Sequence, residues 1–345
     1  SPQKQIYKCF VCGATGNVFT FVMEYEQISF LEAVKFVASK VGIDVEIGNY
    51  KEDTINNEYS KYYNIYDVAN KFYLNNLNTQ SGKEAKEYLS KRDINEDIIK
   101  EFQIGLSTTN KLYQILKEKK YSDEDLVECG ICSNNNDSVY DTFTNRIMFP
   151  LCNLEGKVVG FSGRIYNTSD PSKYVNSKES DIFKKGKLLY NYYRAKEEIR
   201  RKRSVVVTEG FMDVIALYKV GIKNVIATMG TAVTSEQAHL IKKLSNNVIL
   251  MFDGDEAGNK ATISCSKELM DIGCIPKIVR LPDNLDPDEY INTYGKDSII
   301  KLLEEPKSYL NYKIDYYKSN TNFNNTEDIA NYIRNVISEL KNEND

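Results

Sequence analysis

The sequence predicts an α/β protein: a parallel sheet flanked by helices, preceded by a mixed α+β region and followed by more helices. Three observations carry that prediction. Between residues 204 and 281, four short apolar runs alternate with three segments of helical spacing. The runs are continuously apolar, as strands covered on both faces must be, whereas strands with one wet face alternate. Ahead of them, from residue 139, the period turns from helical to strand-like, with turn residues between the runs.

Taken in order, "GNVFTFVMEYEQISFLEAVKFVASKVGI" spaces its apolar residues as a helix does, breaks near Gln27 and Ile28, and ends at Gly42. It predicts two amphipathic helices. The polar, Asn-rich stretch "IGNYKEDTINNEYSKYYN" has no face to bury and predicts a linker over 48–60. Helical spacing resumes in "YDVANKFYLNNL", "KEAKEYLSKRDI" and "NKLYQILKEKK". "RIMFPLCNLEGKVVGFSGRIY" reads as a β-hairpin turning at "NLEGK". Strand "SVVVT" then precedes helix "FMDVIALYKVG", strand "NVIATM" precedes helix "SEQAHLIKKL", and strand "NVILMF" precedes helix "NKATISCSKELMDIG", with strand "PKIVRL" last. After residue 295, "DSIIKLLEEPKSYLNYKIDYY" and "TEDIANYIRNVISELK" return to helix. The implied domains are 1–47, the linker 48–60, a subdomain over 61–190, the parallel-sheet subdomain over 191–300 and the start of a helical one over 301–345.

Composition narrows the function classes. The chain has 345 residues, enough for two or three domains. No apolar stretch reaches membrane-span length, and "SPQKQIYKCF" lacks a signal-peptide core, so the expectation is a cytoplasmic protein with no membrane partner. Seven cysteines, sparse and odd in number, suit reduced thiols. A net charge of −4 argues against a generic nucleic-acid coat protein. The segment 184–203 is locally basic, nine Lys/Arg against two Glu. Its later part, 194–203, is read as support for the sheet and left out of the site.

In an open parallel sheet, functional groups gather beyond the carboxyl ends of the strands. Glu209-Gly210 follow "SVVVT", with Asp213 one helical turn on; Asp253-Gly254-Asp255 follow "NVILMF"; Asp286 and Asp288 flank Pro287 beyond "PKIVRL". A D-x-D spacing lets both carboxylates face one side, and the two glycines allow sharp turns and close approach. At an effective dielectric near 20, unit charges about 4 Å apart repel by about 4 kcal/mol, so such a rim requires cations. All-oxygen ligation without a nearby histidine or thiol suits Mg²⁺ or Mn²⁺. Each piece alone has a bland reading as a solvated turn, a helix start or a loop; three in order on successive strand ends point to a metal site.

The motifs "EGFMDVIAL", "ATMGTAVTSEQ", "MFDGDEAGNKA" and "DPDEYI" resemble the toprim domain of bacterial DnaG-type DNA primases. "NRIMFPL", "GKVVGFSGR" and "KYVNSKESDIFKKGKLLY" are similar to the subdomain that precedes it there, and "IYKCFVCGATGNVFTFVMEYEQISFLEAV" to the second half of the family's zinc-binding domain. The resemblance spans almost the whole chain. It implies template-directed synthesis of short RNA primers from ribonucleoside triphosphates on single-stranded DNA. It implies catalytic Glu209, Asp253 and Asp255, with Glu209 able to handle the proton of the attacking hydroxyl. The metal set for Mg²⁺ or Mn²⁺ would be Glu209, Asp213, Asp253, Asp255, Asp286 and Asp288. Arg146, Arg164, Lys173, Tyr174 and Lys185 would meet nucleotide and template, and Cys9 and Cys12 of "CFVCG" would be zinc ligands.

Two departures stand out. Phe211 occupies a position where the family often has Tyr, a change expected to be harmless. Structural zinc takes four ligands, and the resemblance puts the other pair in a C-x-x-H segment upstream, outside this sequence. The chain is therefore expected to be a fragment of a longer protein, to hold Zn²⁺ weakly by itself, and to stop before the domain that meets the replicative helicase. "CGIC" (Cys129, Cys132) is rejected as the missing pair, and His239 is read as a residue on a helix face. The competing readings are another toprim enzyme, a topoisomerase or nuclease, and a non-catalytic DNA-binding adaptor. A haloacid-type phosphatase also places D-x-D after a strand, but leaves Glu209 unexplained.

Overall fold

The structure is a computed structural model that describes residues 5–8, 15–26, 30–43, 53–109, 111–135, 138–167, 172–230, 232–282 and 284–342. The chain divides into two compact units, Ser1–Ser60 and Lys61–Asp345. In the first, β1 (Tyr7–Lys8) pairs antiparallel with β2 (Thr15–Gly16), and α1 (Val18–Glu26) and α2 (Phe30–Lys40) follow. These are the two helices the spacing predicts. Val22, Ala33 and Ala38 are their buried residues. Cys9 and Cys12 lie outside the described residues, so the zinc expectation for them is untouched.

Helix α3 (Asp53–Leu77) takes in residues 53–60 of the expected linker, and the two units part at that linker's expected end, 60/61. A polar, Asn-rich first turn carries no periodicity, yet it continues a helix whose later turns bury Ile65, Tyr66, Ala69 and Tyr73. In the second unit follow α4 (Lys83–Ser90), α5 (Glu96–Glu101), β3 (Gly105–Ser107), α6 (Leu112–Glu118), α7 (Asp123–Glu128), β4 (Cys132–Asn134) and β5 (Val139–Asp141). The expected hairpin is β6 (Arg146–Cys152) against β7 (Val158–Ile165), and β8 (Tyr174–Asn176) completes an antiparallel sheet in the order β3-β6-β7-β8.

The strand–helix alternation forms as predicted: α8 (Tyr192–Lys202), β9 (Val205–Thr208), α9 (Phe211–Lys219), β10 (Val225–Ala227), α10 (Ser235–Leu244), β11 (Asn247–Leu250), α11 (Glu256–Asp271) and β12 (Ile275–Ile278). Then come α12 (Pro287–Tyr294), α13 (Lys296–Glu304), β13 (Lys307–Ser308), α14 (Tyr309–Ser319) and α15 (Thr326–Asn342). The sheet order is β10-β9-β11-β12-β13; the first four strands run parallel, and β13 closes the edge antiparallel.

β9 and β10 are buried on both faces, which is why they read as unbroken apolar runs, whereas β12 alternates exposed and buried residues. Successive side chains point to opposite faces. Val206 packs into one core with Val214 and Leu217 of α9 and with Phe149 of the antiparallel sheet. Val205 and Val207 pack into another, with Ile199 of α8, Ile241 of α10, Cys265 of α11 and Tyr312 of α14. Two expected boundaries therefore fall inside shared cores. Residues on both sides of 190/191 join one core, and the pair Tyr190 and Ala227 bridges them. Beyond residue 300, β13 still belongs to the sheet; a two-residue antiparallel edge gives no periodic signal. Among the described residues no helix is long and apolar enough to cross a membrane.

Candidate active site

Each acidic segment lies beyond the carboxyl end of a parallel strand, directly after β9 and in the loops that follow β11 and β12. β9 stops at Thr208, Glu209 follows, and Gly210 caps α9, whose third residue, Asp213, accepts the Gly210 N–H (3.1 Å). β11 leads to Asp253; Asp255 caps α11 by accepting the Gly258 N–H at 2.7 Å. β12 leads to Asp286, which caps α12 by accepting the Glu289 N–H at 2.7 Å. The Asp253 N–H donates to Glu209 Oε1 (3.2 Å), joining the first two segments.

Close approach, more than positive φ, explains the glycines. A Cβ on Gly254 would lie 2.7 Å from the Leu281 carbonyl oxygen, and the Gly254 N–H donates to Leu285 O at 2.9 Å. Gly258, which the sequence reading passed over, is tighter still: its Cβ would come within 2.1 Å of Asp253 O and 2.9 Å of Glu209 Oε1. On the neighbouring strand end Met229 holds φ +62°, a conformation costly for a residue with a Cβ, and its N–H donates to Glu209 O (2.9 Å).

Glu209, Asp213, Asp253 and Asp286 line one cavity of about 350 Å³, together with Lys173, Tyr174 and Gly230. Burial pushes the Asp253 carboxyl up to about 7, and Glu209, Asp286 and Asp255 push the same way. Burial holds Asp213 well above the usual carboxylate range, with Asp253 and Asp286 adding to it. Glu209 and Asp286 are also raised, chiefly by burial, while the Asp253 amide pulls Glu209 down and Lys173 pulls Asp286 down. Asp253 Oδ1 is buried without a hydrogen-bond partner.

Among the described residues, no group of three or more His, Cys, Asp and Glu side chains stands ready to hold a metal ion as placed. The cavity's donor chemistry nevertheless fits one. Its acids are all oxygen donors, one buried oxygen is orphaned, and their raised proton affinities mark a place short of positive charge. Two of the cavity's acids, Asp213 and Asp286, and the neighbouring Asp255 accept backbone N–H groups at helix starts.

Two members of the expected acid set stand differently. Asp255, an exposed cap, is outside the cavity lining but electrostatically coupled to Glu209 and Asp253. Asp288 lies outside the acidic cavity's lining: it pairs with Arg92 (3.1 Å) and Lys219 (3.8 Å). D-x-D faces one side only in extended chain; here Pro287 opens α12, and two helical residues span about 200°.

The basic set divides too. Arg164 donates Nε to the Tyr88 hydroxyl (2.7 Å) and a second nitrogen to Tyr174, and stacks over both rings. It lines a second cavity of about 460 Å³ with Tyr88, Lys91, Arg92 and Asp288, and that cavity shares Lys173, Tyr174 and Asp286 with the acidic one. Arg146 is buried and donates to the Gly163 and Ser172 carbonyls (3.3 and 2.9 Å). Lys185 lines neither cavity; its backbone meets Glu179 and Gln237. Sequence reading missed Tyr88, Lys91 and Arg92, which sit in an ordinary amphipathic helix and the turn after it.

The remaining expectations resolve simply. Phe211 packs its ring against Phe149, Tyr174 and Tyr190. Cys129 and Cys132 are free and buried, and His239 sits exposed on α10. Arg194 of α8 is stacked on Phe102 and Tyr193, in keeping with a supporting helix.

A parallel sheet with Glu beyond one strand and D-x-D beyond its neighbour defines a toprim-type domain, and a Toprim-like family model matches residues 206–291. Models for the N-terminal domain of the DNA primase catalytic core and for the CHC2 zinc finger match residues 72–196 and 1–53. The chain is 39% identical to a DNA primase of Clostridium acetobutylicum over 340 residues, covering 97% of this chain and 56% of that one. It resembles the zinc-binding and RNA polymerase domains of Aquifex aeolicus primase, with 34% identity and a TM-score of 0.69 over 93% of this chain and 78% of that one. A DnaG primase catalytic domain bound to ssDNA matches with 30% identity and a TM-score of 0.69, over 78% and 89%. The chain belongs to the DnaG-type DNA primase family. It spans little more than half the length of the relatives it matches in sequence. The toprim and zinc-finger matches point to metal binding in general.

Proposed function

We propose that this chain carries the catalytic core of a DNA primase, which joins ribonucleoside triphosphates into short RNA primers on a single-stranded DNA template. The observation that carries the reading is the convergence of Glu209, Asp213, Asp253 and Asp286 on one cavity that continues into another lined by Lys91, Arg92 and Arg164. Acids beside clustered cations suit a triphosphate that must be both held and attacked. The likeness to a DnaG catalytic domain bound to ssDNA supports the choice of template.

In the reaction the primer's 3′-hydroxyl attacks the α-phosphorus of the incoming nucleotide. A phosphorus–oxygen bond forms, the α–β anhydride bond breaks, pyrophosphate leaves, and the hydroxyl proton passes to a base. Glu209 is the candidate for that proton, since burial raises its affinity for one. Arg164, largely buried and held by Tyr88 and Tyr174, lines the second cavity, where its remaining N–H groups are proposed to meet phosphate, and Lys173 supplies a point charge shared by the two cavities. Mg²⁺ or Mn²⁺, held by Glu209, Asp213, Asp253, Asp255 and Asp286, would supply charge neutralisation of the phosphates. In the whole protein Cys9 and Cys12 are proposed as part of a Zn²⁺ site, the replicative helicase as a partner and the cytoplasm as the compartment.

The test is ribonucleotide incorporation on single-stranded DNA with and without Mn²⁺. Primer synthesis that Asp253→Ala and Asp255→Ala abolish, with folding intact, supports the reading. Strand nicking in its place would indicate a topoisomerase or nuclease, and activity retained by both variants would sink the assignment.

A further inference from the structure

Two buried side chains outside the acidic cavity converge on the backbone that carries its aspartates. Asn259 lies in the first turns of α11, and its Nδ2 donates to the Asp255 carbonyl at 2.7 Å and toward the Gly254 carbonyl at 3.4 Å. Its Oδ1 accepts the Tyr312 hydroxyl at 2.6 Å, across 53 residues of sequence. Asn259 is 8% exposed and Tyr312 is 2% exposed. The amide has one workable orientation: turned over, Oδ1 would face two carbonyl oxygens.

Tyr312 is itself well anchored. β13 pairs with β12 immediately before α14 begins, Ser308 caps that helix, and Lys313 on it pairs with Glu339 of α15. The Asp253–Asp255 loop has few other ties. Among the described ones are the Gly254 N–H to Leu285, the Asp253 N–H to Glu209, the Asp255 cap on Gly258, and the Asn259 backbone N–H to the Asp255 carbonyl (3.0 Å), which the Asn259 side chain reinforces.

We propose that Tyr312 and Asn259 are positioning residues for the Asp253–Asp255 loop. The hydroxyl delivered by α14 fixes the Asn259 amide, the amide clamps the Gly254 and Asp255 carbonyls, and the clamp sets where the two carboxylates are presented. The inference rests on the reading of those acids as divalent-cation ligands, and it makes α14 a determinant of metal affinity although none of its residues lines the acidic cavity. Polar groups this buried hold their geometry because leaving one unpaired is costly.

Tyr312→Phe removes the hydroxyl and keeps the ring. Mn²⁺ affinity, read by electron paramagnetic resonance titration of the whole chain, is expected to weaken about 3- to 10-fold, one hydrogen bond's worth. Amide hydrogen exchange across residues 253–258 is expected to accelerate to a similar degree. Asn259→Asp, which turns an oxygen toward the two carbonyls, should weaken Mn²⁺ further. Tyr309→Phe is the control: this tyrosine shares α14 but its hydroxyl lies against Lys313 and makes no bond to Asn259 or to the aspartate loop, so neither readout should move. An unchanged Mn²⁺ affinity and exchange rate in Tyr312→Phe, or equal effects from both tyrosine variants, would overturn the proposal. If the wild-type chain shows no Mn²⁺ binding sensitive to Asp253→Ala, the ligand reading fails, and the exchange rates alone decide whether the loop is clamped.

Discussion

Gly258→Ala offers a sharp test of how the acids are brought together. The added methyl would sit 2.1 Å from Asp253 O, 2.8 Å from the Asp253 carbonyl carbon and 2.9 Å from Glu209 Oε1. Carbon and oxygen rest comfortably at about 3.3 Å, so α11 and the aspartate loop must separate by about 1 Å. Two of the three contacts are with backbone and cannot swing aside. Overpacking of this kind costs about 1–3 kcal/mol, while alanine in a helix is better than glycine by about 1 kcal/mol. The net loss of about 0–2 kcal/mol translates to a Tm drop of no more than about 8 °C at roughly 2–4 °C per kcal/mol. Function should suffer more, because a displacement of about 1 Å at a reacting centre costs on the order of 100-fold in rate. Primer synthesis, Mn²⁺ titration and thermal unfolding of the same variant separate the two effects. Wild-type Mn²⁺ affinity together with wild-type synthesis in Gly258→Ala would refute the claim that this close approach sets the site.

Other expectations follow from the same geometry. Asp288→Asn should leave Mn²⁺ affinity within about twofold while lowering stability by about 1–3 kcal/mol, because Arg92 and Lys219 lose a buried partner; a Mn²⁺ loss as large as that of Asp253→Asn would restore Asp288 to the metal set. Asp253 has an ordinary value of 3.8 raised to about 7 by burial and then by Glu209, so the folded state binds its proton more tightly than the unfolded chain does. With divalent ions chelated, that contribution is intact below about pH 4 and is lost as pH rises through about 7. Asp253→Asn should therefore gain on the wild type across pH 4–8, by about 1–2 kcal/mol after solvent screening, and a pH-independent difference in Tm would count against it. Mn²⁺ should raise the wild-type Tm at pH 8 and leave that of Asp253→Asn little changed, as differential scanning fluorimetry would read.

The sequence made the parallel sheet legible because its inner strand β9 is buried on both faces: Val205 and Val207 serve one core and Val206 the other, leaving no polar position to interrupt the run. It made the acids legible because Glu209, Asp253 and Asp286 each follow a strand end, where topology alone brings them to one rim. The first half of α3 was hidden by its polar residues, and β13 by its length. Asp286 and Asp288 looked alike because a D-P-D tripeptide does not announce where its helix begins. The helix start sends one carboxylate into the cavity and the other to Arg92 and Lys219. Arg146 entered the expected set by motif resemblance alone, and in the fold the carbonyls of Gly163 and Ser172 take its guanidinium inside.

The residues the sequence could not pair are those that act across long separations. Arg92 meets Asp288 over 196 residues, Arg164 meets Tyr88 over 76, and Tyr312 meets Asn259 over 53. None of these contacts leaves a local pattern, because a buried tyrosine hydroxyl or an amphipathic-helix arginine reads the same with or without its partner. Local chemistry therefore supplies the groups that would touch phosphate and metal, and distant chemistry sets their positions. The acidic cavity pushes its own carboxylates toward protonation, as Asp253 at about 7 and the fully buried Asp213 both show. Such an edge is costly to fold around unless the surrounding packing holds it in place. That is the role left to Tyr312, Arg92 and the close approach at Gly258: they keep a repulsive rim assembled, so that a cation arriving with the nucleotide would meet ligands that need not be gathered.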